Sequence, residues 1–215
     1  MNGHLSNHWT YAVAFLEFVR GDAALATGSG FYWLHEGRTY LVTNWHNLSG
    51  RNPLTGKPMS PTGATPEYVR IMAYAQVSPE DANGFFQLTY VPVTVRLLSP
   101  DDHPRWREHP RYGRRVDIAV LDVTEAISDY RVCHVNVIES DAVLDPVASQ
   151  EVFVVGFPFG LIAGAPAPLW KRGSIALDPT YDPEGLPKLL VDTATREGMS
   201  GSVVLEIKPA GCVTF

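Results

Sequence analysis

Short apolar runs rich in Val, Ile, Tyr and Phe recur along the chain between clusters of Gly, Pro and Asp, and nowhere does helical periodicity persist for three turns. The pattern predicts a mostly β protein. Strands are expected at 11–19, 30–34, 39–43, 69–75, 91–98, 118–123, 152–156, 173–177, 189–192 and 203–207. Many short strands at this spacing point to barrels or a sandwich.

The breaks between strands carry their own information. Pro53, Gly56, Pro58, Pro61, Gly63 and Pro66 remove donors and regular pairing from 50–66, which reads as a long surface loop. The 99–115 segment gathers Arg105, Arg107, Arg111, Arg114 and Arg115 beside Asp101, Asp102 and Glu108, and reads as a solvated charged loop. Residues 135–150, polar and acidic with Pro146, read as a linker between an N-terminal half at 1–134 and a C-terminal half at 151–215. No internal repeat is visible.

Composition narrows the functional classes. With 215 residues, 45% hydrophobic and 19% charged, the chain can bury a real core, and disorder, collagen-like repetition and a coiled coil are disfavoured. Lys and Arg number 17 against 23 Asp and Glu, a net charge of −6, so no global positive field exists to hold nucleic acid or an anionic membrane. The apolar 11–19 run looks faintly like a signal peptide, but Glu17, Arg20 and Asp22 interrupt it and no basic region precedes it. It is read as the first strand. No apolar stretch is long enough to span a bilayer, and a cytoplasmic location is the expectation. Cys133 and Cys212 are too few for a disulfide framework and lack the paired spacing of a zinc site; whether they pair stays open. No metal and no cofactor are expected.

Three local contexts could carry chemistry. In Gly198-Met199-Ser200-Gly201-Ser202, Gly198 permits a tight turn that can aim its own N–H and that of Ser200 at one point, and Gly201 lets the chain leave without crowding the serine. An ordinary Gly/Ser turn is the plainer reading of this motif alone. In Tyr40-Leu41-Val42-Thr43-Asn44-Trp45-His46, an apolar strand runs into a histidine, which can be held rigidly against a cleft as a general base. In Val116-Asp117-Ile118-Ala119-Val120-Leu121, a carboxylate leads into a strand, where it can take the imidazole N–H of His46 or simply start the strand. The order His46, Asp117, Ser200 is one of the known orders for a base, orienter and nucleophile, and the three contexts together outweigh the plainer readings.

At these residues the chain resembles the trypsin-like serine peptidases, of the bacterial type with a short domain. The resemblance also rests on Gly28-Ser29-Gly30-Phe31, Val155-Gly156-Phe157-Pro158-Phe159-Gly160, Gly173-Ser174-Ile175 and the stretch from Asp192 to Gly201. It implies an all-β fold of two packed six-stranded antiparallel barrels, with His46 and Asp117 on the first, Ser200 on the second and the site between them. The closure of the second barrel is left open, since 15 residues follow Ser200. The resemblance further implies Ser200 as acyl-forming nucleophile, His46 as base and then acid, Asp117 as orienter, and the N–H groups of Gly198 and Ser200 as oxyanion hole. The floor of the primary pocket would be Ala194, with Arg196 nearer the rim, which favours a small or aliphatic side chain before the scissile bond. Met199 and Ser202 depart from the common pattern, Ser202 by replacing a glycine that follows the nucleophile.

The leading expectation is thus a metal-independent serine endopeptidase acting on a peptide or protein substrate. The rival expectations are a catalytically silent module of the same fold that binds peptides or protein partners, and a β-barrel in which these residues are structural. A partner or second chain covering the C-terminal strand edge is a further expectation.

Overall fold

The apolar run after Ala12 is buried on both faces, and this determines where it sits. In β1 (Val13–Arg20), Ala14, Leu16 and Phe18 point into one cluster with Leu41, Ile71 and Leu121, while Val13 and Phe15 point into a second with Val155, Phe157, Val203 and Leu205. Successive side chains of a strand face opposite ways, so a strand with two apolar faces must lie between two cores. The computed structural model describes residues 5–79, 86–138, 145–160, 167–194, 196–207 and 213–214.

β1 is an inner strand of the first sheet, which also contains β2 (Ala23–His35), β3 (Arg38–Thr43), β4 (Tyr68–Gln76), β5 (Leu88–Arg96), β6 (Trp106–Glu108) and β7 (Ala119–Asp122). Their order is β5-β4-β1-β2-β3-β7-β6, antiparallel throughout. The second sheet has the order β10-β9-β8-β11-β12, from β8 (Glu151–Gly156), β9 (Leu169–Ile175), β10 (Val191–Asp192), β11 (Val203–Ile207) and β12 (Val213–Thr214). The all-β class is as expected. The strand count differs: seven and five among the described residues, where the resemblance implied six and six. Beyond the two outer strands of the first sheet the chain meets itself again, with Leu98 bridged to Pro104 and the Arg105 N–H on the Leu97 carbonyl at 2.9 Å.

Several boundaries move for identifiable reasons. Tyr11 and Ala12 belong to a helix, α1 (Leu5–Ala12), which drives Trp9 into the core between the sheets; the first strand begins only at Val13. The charged 99–115 segment contains β6, because Trp106 packs against the first core while its neighbours stay in water. The expected linker starts inside the structure: Val135 and Ile138 are buried between the sheets, and the Val135 N–H donates to the Tyr32 carbonyl. The expected 50–66 loop is a loop, held by a bridge between Arg51 and Pro58 and by backbone bonds such as Met59 N to the Gly50 carbonyl at 2.8 Å. The return strand after Ser200 is present as β12, paired to β11 through Glu206–Thr214 and Ile207–Val213. Cys133 is half-buried, with no disulfide among the described residues and with its thiol pKa raised by burial; Cys212 lies outside the described residues, and with it the question of their pairing.

Candidate active site

His46 is not at a strand end. After β3 the chain turns into a five-residue helix, α2 (Trp45–Ser49), with Asn44 at its N-cap and Gly50 beyond its end in a left-handed conformation (φ 65°). His46 occupies the first turn. The Asn44 side chain does not cap the helix; it donates to the Asp117 carbonyl at 2.7 Å, and the Trp45 N–H reaches the same oxygen at 3.2 Å. These bonds tie the start of α2 to the turn that carries the carboxylate.

Asp117 follows a 3-10 turn over Gly113–Val116 and is itself left-handed, with φ 52°. Aspartate tolerates this region better than most residues. The conformation lets one carboxylate make two bonds to one residue: Oδ1 accepts the His46 backbone N–H at 2.9 Å and Oδ2 pairs with His46 Nδ1 at 2.7 Å. The side chains are 19% and 25% exposed, shielded from bulk water yet open to a ligand. With Nδ1 engaged, Nε2 is the ring nitrogen left for chemistry.

Ser200 comes from the loop before β11 and lines the same cavity as His46, about 290 Å³ in volume. The loop is held almost entirely through its carbonyls. Arg196 C=O accepts from Met199 N at 3.1 Å, Glu197 C=O from Phe159 N at 2.6 Å, Gly198 C=O from Ser29 Oγ at 2.8 Å, and Met199 C=O from Ser202 N at 3.0 Å. The Ser200 carbonyl takes two donors, Ser29 N at 2.8 Å and Asn47 Nδ2 at 3.1 Å. Among the described residues no acceptor binds the N–H of Gly198 or of Ser200. Free N–H groups beside a serine hydroxyl are what an oxyanion hole would require.

The glycines here have steric reasons. Gly201 has φ 87°, and a Cβ on it would lie 2.0 Å from the Ser29 carbonyl oxygen; a Cβ on Gly156 would lie 1.9 Å from Ser202 Oγ. The second clearance explains how Ser202 is accommodated where a glycine is common: its hydroxyl occupies the space that Gly156 leaves open.

Two contributors have no role that the sequence pattern assigns. Ser29, fully buried, reaches across from the first sheet to donate its hydroxyl to Gly198 C=O, accept from Phe157 N at 2.9 Å and receive the Thr43 hydroxyl on its carbonyl at 2.7 Å. Its Gly28-Ser29-Gly30 setting was the available signal. Glu108, on β6, accepts the Trp45 indole N–H at 2.6 Å, directly before His46. Nothing in the charged run singles it out.

Ala194 and Arg196 do not line the cavity shared by His46 and Ser200. Ala194 is exposed and its carbonyl accepts from Lys171 Nζ; Arg196, also exposed, takes part through its carbonyl. Among the described residues no cluster of His, Cys, Asp and Glu could hold a metal ion, and no helix is long and apolar enough to cross a membrane.

Two antiparallel sheets with a shared core, and a His–Asp couple facing a serine-bearing loop, define the class of trypsin-like folds. The sequence matches the trypsin-like peptidase domain over residues 28–211, and the chain belongs to that family. Among solved structures it is similar to the serine endoprotease from Yersinia pestis, with 16% identity and a TM-score of 0.50 over 97% of this chain and 54% of that one. It thus spans about half the length of that enzyme. It is also similar to Rv3671c from M. tuberculosis H37Rv, there an inactive serine-to-alanine mutant, with 15% identity and a TM-score of 0.49 over 95% of this chain and 74% of that one. No curated protein matches the sequence.

Proposed function

We propose that the protein is a serine endopeptidase that cleaves peptide bonds through an acyl-enzyme on Ser200. The observation that carries this reading is the doubly bonded His46–Asp117 couple opening on the cavity that Ser200 also lines. Ser200 Oγ attacks the scissile carbonyl carbon while His46 Nε2 takes its proton; Asp117 holds the neutral tautomer with hydrogen on Nδ1 and stabilises the imidazolium that forms. The carbonyl oxygen becomes an oxyanion received by the N–H groups of Gly198 and Ser200. Collapse breaks the C–N bond as His46 returns the proton to the leaving amine, and a water activated the same way releases the acyl group. Ala194 remains the proposed floor of the pocket before the scissile bond, favouring a small or aliphatic side chain, with Arg196 at its rim.

A fluorophosphonate probe tests the reading, because it reports an activated serine and a formed oxyanion hole together. Labelling is expected on Ser200 and is expected to vanish in Ser200→Ala and His46→Ala. Absence of labelling in the folded wild-type chain, with peptide binding retained, would favour the silent peptide-binding module instead.

A further inference from the structure

The strands that carry the His–Asp couple lead at their other end to a second cavity. β3 runs from Arg38 towards His46, and β7 runs back beside it from the Asp117 end to Asp122. Arg38 and Asp122 therefore share the far end of the sheet, the length of β3, or about 17 Å, from the start of α2. There a cavity of about 450 Å³ opens, with Arg38, Arg96, Arg105, Asp122, Thr124 and Glu125 in its lining, and it shares no residue with the cavity at His46 and Ser200.

The charges in this lining are unequally engaged. Arg38 is neutralised, since its Nε and Nη2 both donate to Asp122 Oδ2 at 2.6 Å. Asp122 Oδ1 accepts the Thr124 N–H at 3.1 Å and the Thr124 hydroxyl at 2.7 Å. Burial pushes the Asp122 pKa up, but the bonds from Thr124 and Arg38 more than reverse this and hold the carboxyl below its usual range. Arg96 and Arg105 are different. Arg105 Nη1 donates to the Arg96 carbonyl at 3.2 Å, and the rest of its guanidinium, like the whole of that of Arg96, has no partner among the described residues. The further carboxylate in the lining, Glu125, is hydrogen-bonded to none of the three guanidinium groups. The backbone beneath is fixed in advance: Leu98 is bridged to Pro104, Arg105 N donates to the Leu97 carbonyl at 2.9 Å, and Ser99 N donates to the His103 carbonyl at 2.8 Å. Two guanidinium groups anchored side by side in this way cost little to organise around a ligand.

Forks from two segments of chain suit a tetrahedral anion, because a planar carboxylate satisfies one fork in its own plane while a phosphate presents oxygens in several directions. We propose that this cavity binds a phosphate monoester, with the phosphate on Arg96 and Arg105 and an amine or hydroxyl of the ester's body on Glu125. Its volume lies within the roughly 300–1,000 Å³ of small-molecule sites. The site is independent of the peptidase reading, since it uses none of the residues that carry it.

Calorimetric titration of the full chain at fixed ionic strength with O-phosphoethanolamine, inorganic phosphate and succinate tests the assignment. O-phosphoethanolamine is expected to bind saturably at roughly millimolar concentration or below, inorganic phosphate several-fold more weakly, and succinate more weakly still. Arg96→Gln and Arg105→Gln, both at exposed positions, are each expected to weaken O-phosphoethanolamine by about tenfold or more while the unliganded protein melts as the wild type does. Glu125→Gln is expected to move the two phosphates in opposite directions: inorganic phosphate tightens once the opposing charge is gone, and O-phosphoethanolamine loses its advantage. Arg107→Gln, on β6 and outside the cavity, monitors the general field of the protein and is expected to leave binding unchanged. The proposal is overturned by absence of saturable binding, by equal affinity for all three probes, or by a loss in Arg107→Gln as large as that in Arg96→Gln. Equal affinity for the two phosphates in the wild type, or a Glu125→Gln variant that binds both as before, would overturn the assignment of an ester.

Discussion

Asp117 and Ser29 illustrate how single side chains organise this site. Asp117 needs a left-handed backbone to place one oxygen on the His46 N–H and the other on Nδ1, and asparagine tolerates that backbone as well as aspartate does. Asp117→Asn is therefore expected to melt within a few degrees of the wild type while turnover falls by about four orders of magnitude, because the amide stabilises the wrong tautomer. Paired melting curves and steady-state kinetics check this; near-normal turnover would remove Asp117 from the site. Ser29 does its work from the opposite sheet. Replacing it with alanine leaves Gly198 C=O and Phe157 N without their side-chain partner in a buried place, a cost of about 1–3 kcal/mol for each such group. Denaturant titration should register that loss, and kcat should fall more than KM rises, since the hydroxyl holds the peptide beside the N–H groups proposed as oxyanion donors.

Among the elements, α2 and β6 show why local pattern stops short. Five residues are too few to display helical periodicity, so the Trp45–Ser49 turn is invisible to a periodicity argument. Its flanking Asn44 and Gly50 suit cap positions, but the same residues suit an ordinary turn equally well. Three-residue β6 sits in a run of charge and pairs with β7 because Trp106 needs a core to enter. Its Glu108 then supports α2 through Trp45, whose ring also lies beneath the Arg114 guanidinium at 5.9 Å. Glu108→Ala is expected to cost about 1 kcal/mol, given the exposure of the carboxylate, and to lower kcat by several-fold. Glu108→Gln keeps an acceptor for the indole and should restore most of the turnover. Equal kcat in both variants and the wild type would show that Trp45 holds α2 without help.

At the scale of the whole molecule, the site exists because two sheets share a core. His46 and Asp117 travel with the first sheet, Ser200 with the loop leading into the second, and the shared cluster of Trp9, Phe15, Val155, Phe157, Val203 and Leu205 sets their separation. Trp9 is 1% exposed and its indole N–H has no hydrogen-bond partner among the described residues, so its contribution is packing. Trp9→Ala is expected to destabilise the fold by about 3–5 kcal/mol, and fluorophosphonate labelling should decline along the same thermal curve as the tertiary signal. A variant that melts like the wild type would mean α1 contributes no packing of consequence. At the far edge of the second sheet, β12 returns along β11 and gives that strand a partner from its own chain.

By itself the sequence determined the strand-rich class and most strand positions, through alternation, and it marked three candidates locally, by the glycines around Ser200, the apolar run before His46 and a carboxylate leading into β7; His46 and Asp117 are hydrogen-bonded, and His46 and Ser200 line one cavity. Tertiary structure alone decided the rest. That Ser29 would hold a loop 169 residues away, that Glu108 would brace Trp45, and that 50–66 would wall a cavity beside His46 depend on contacts between segments far apart in sequence. Burial patterns repeat every two or four residues and are written along the chain. Hydrogen bonds between distant segments are chosen by how the sheets pack, and no local pattern records them.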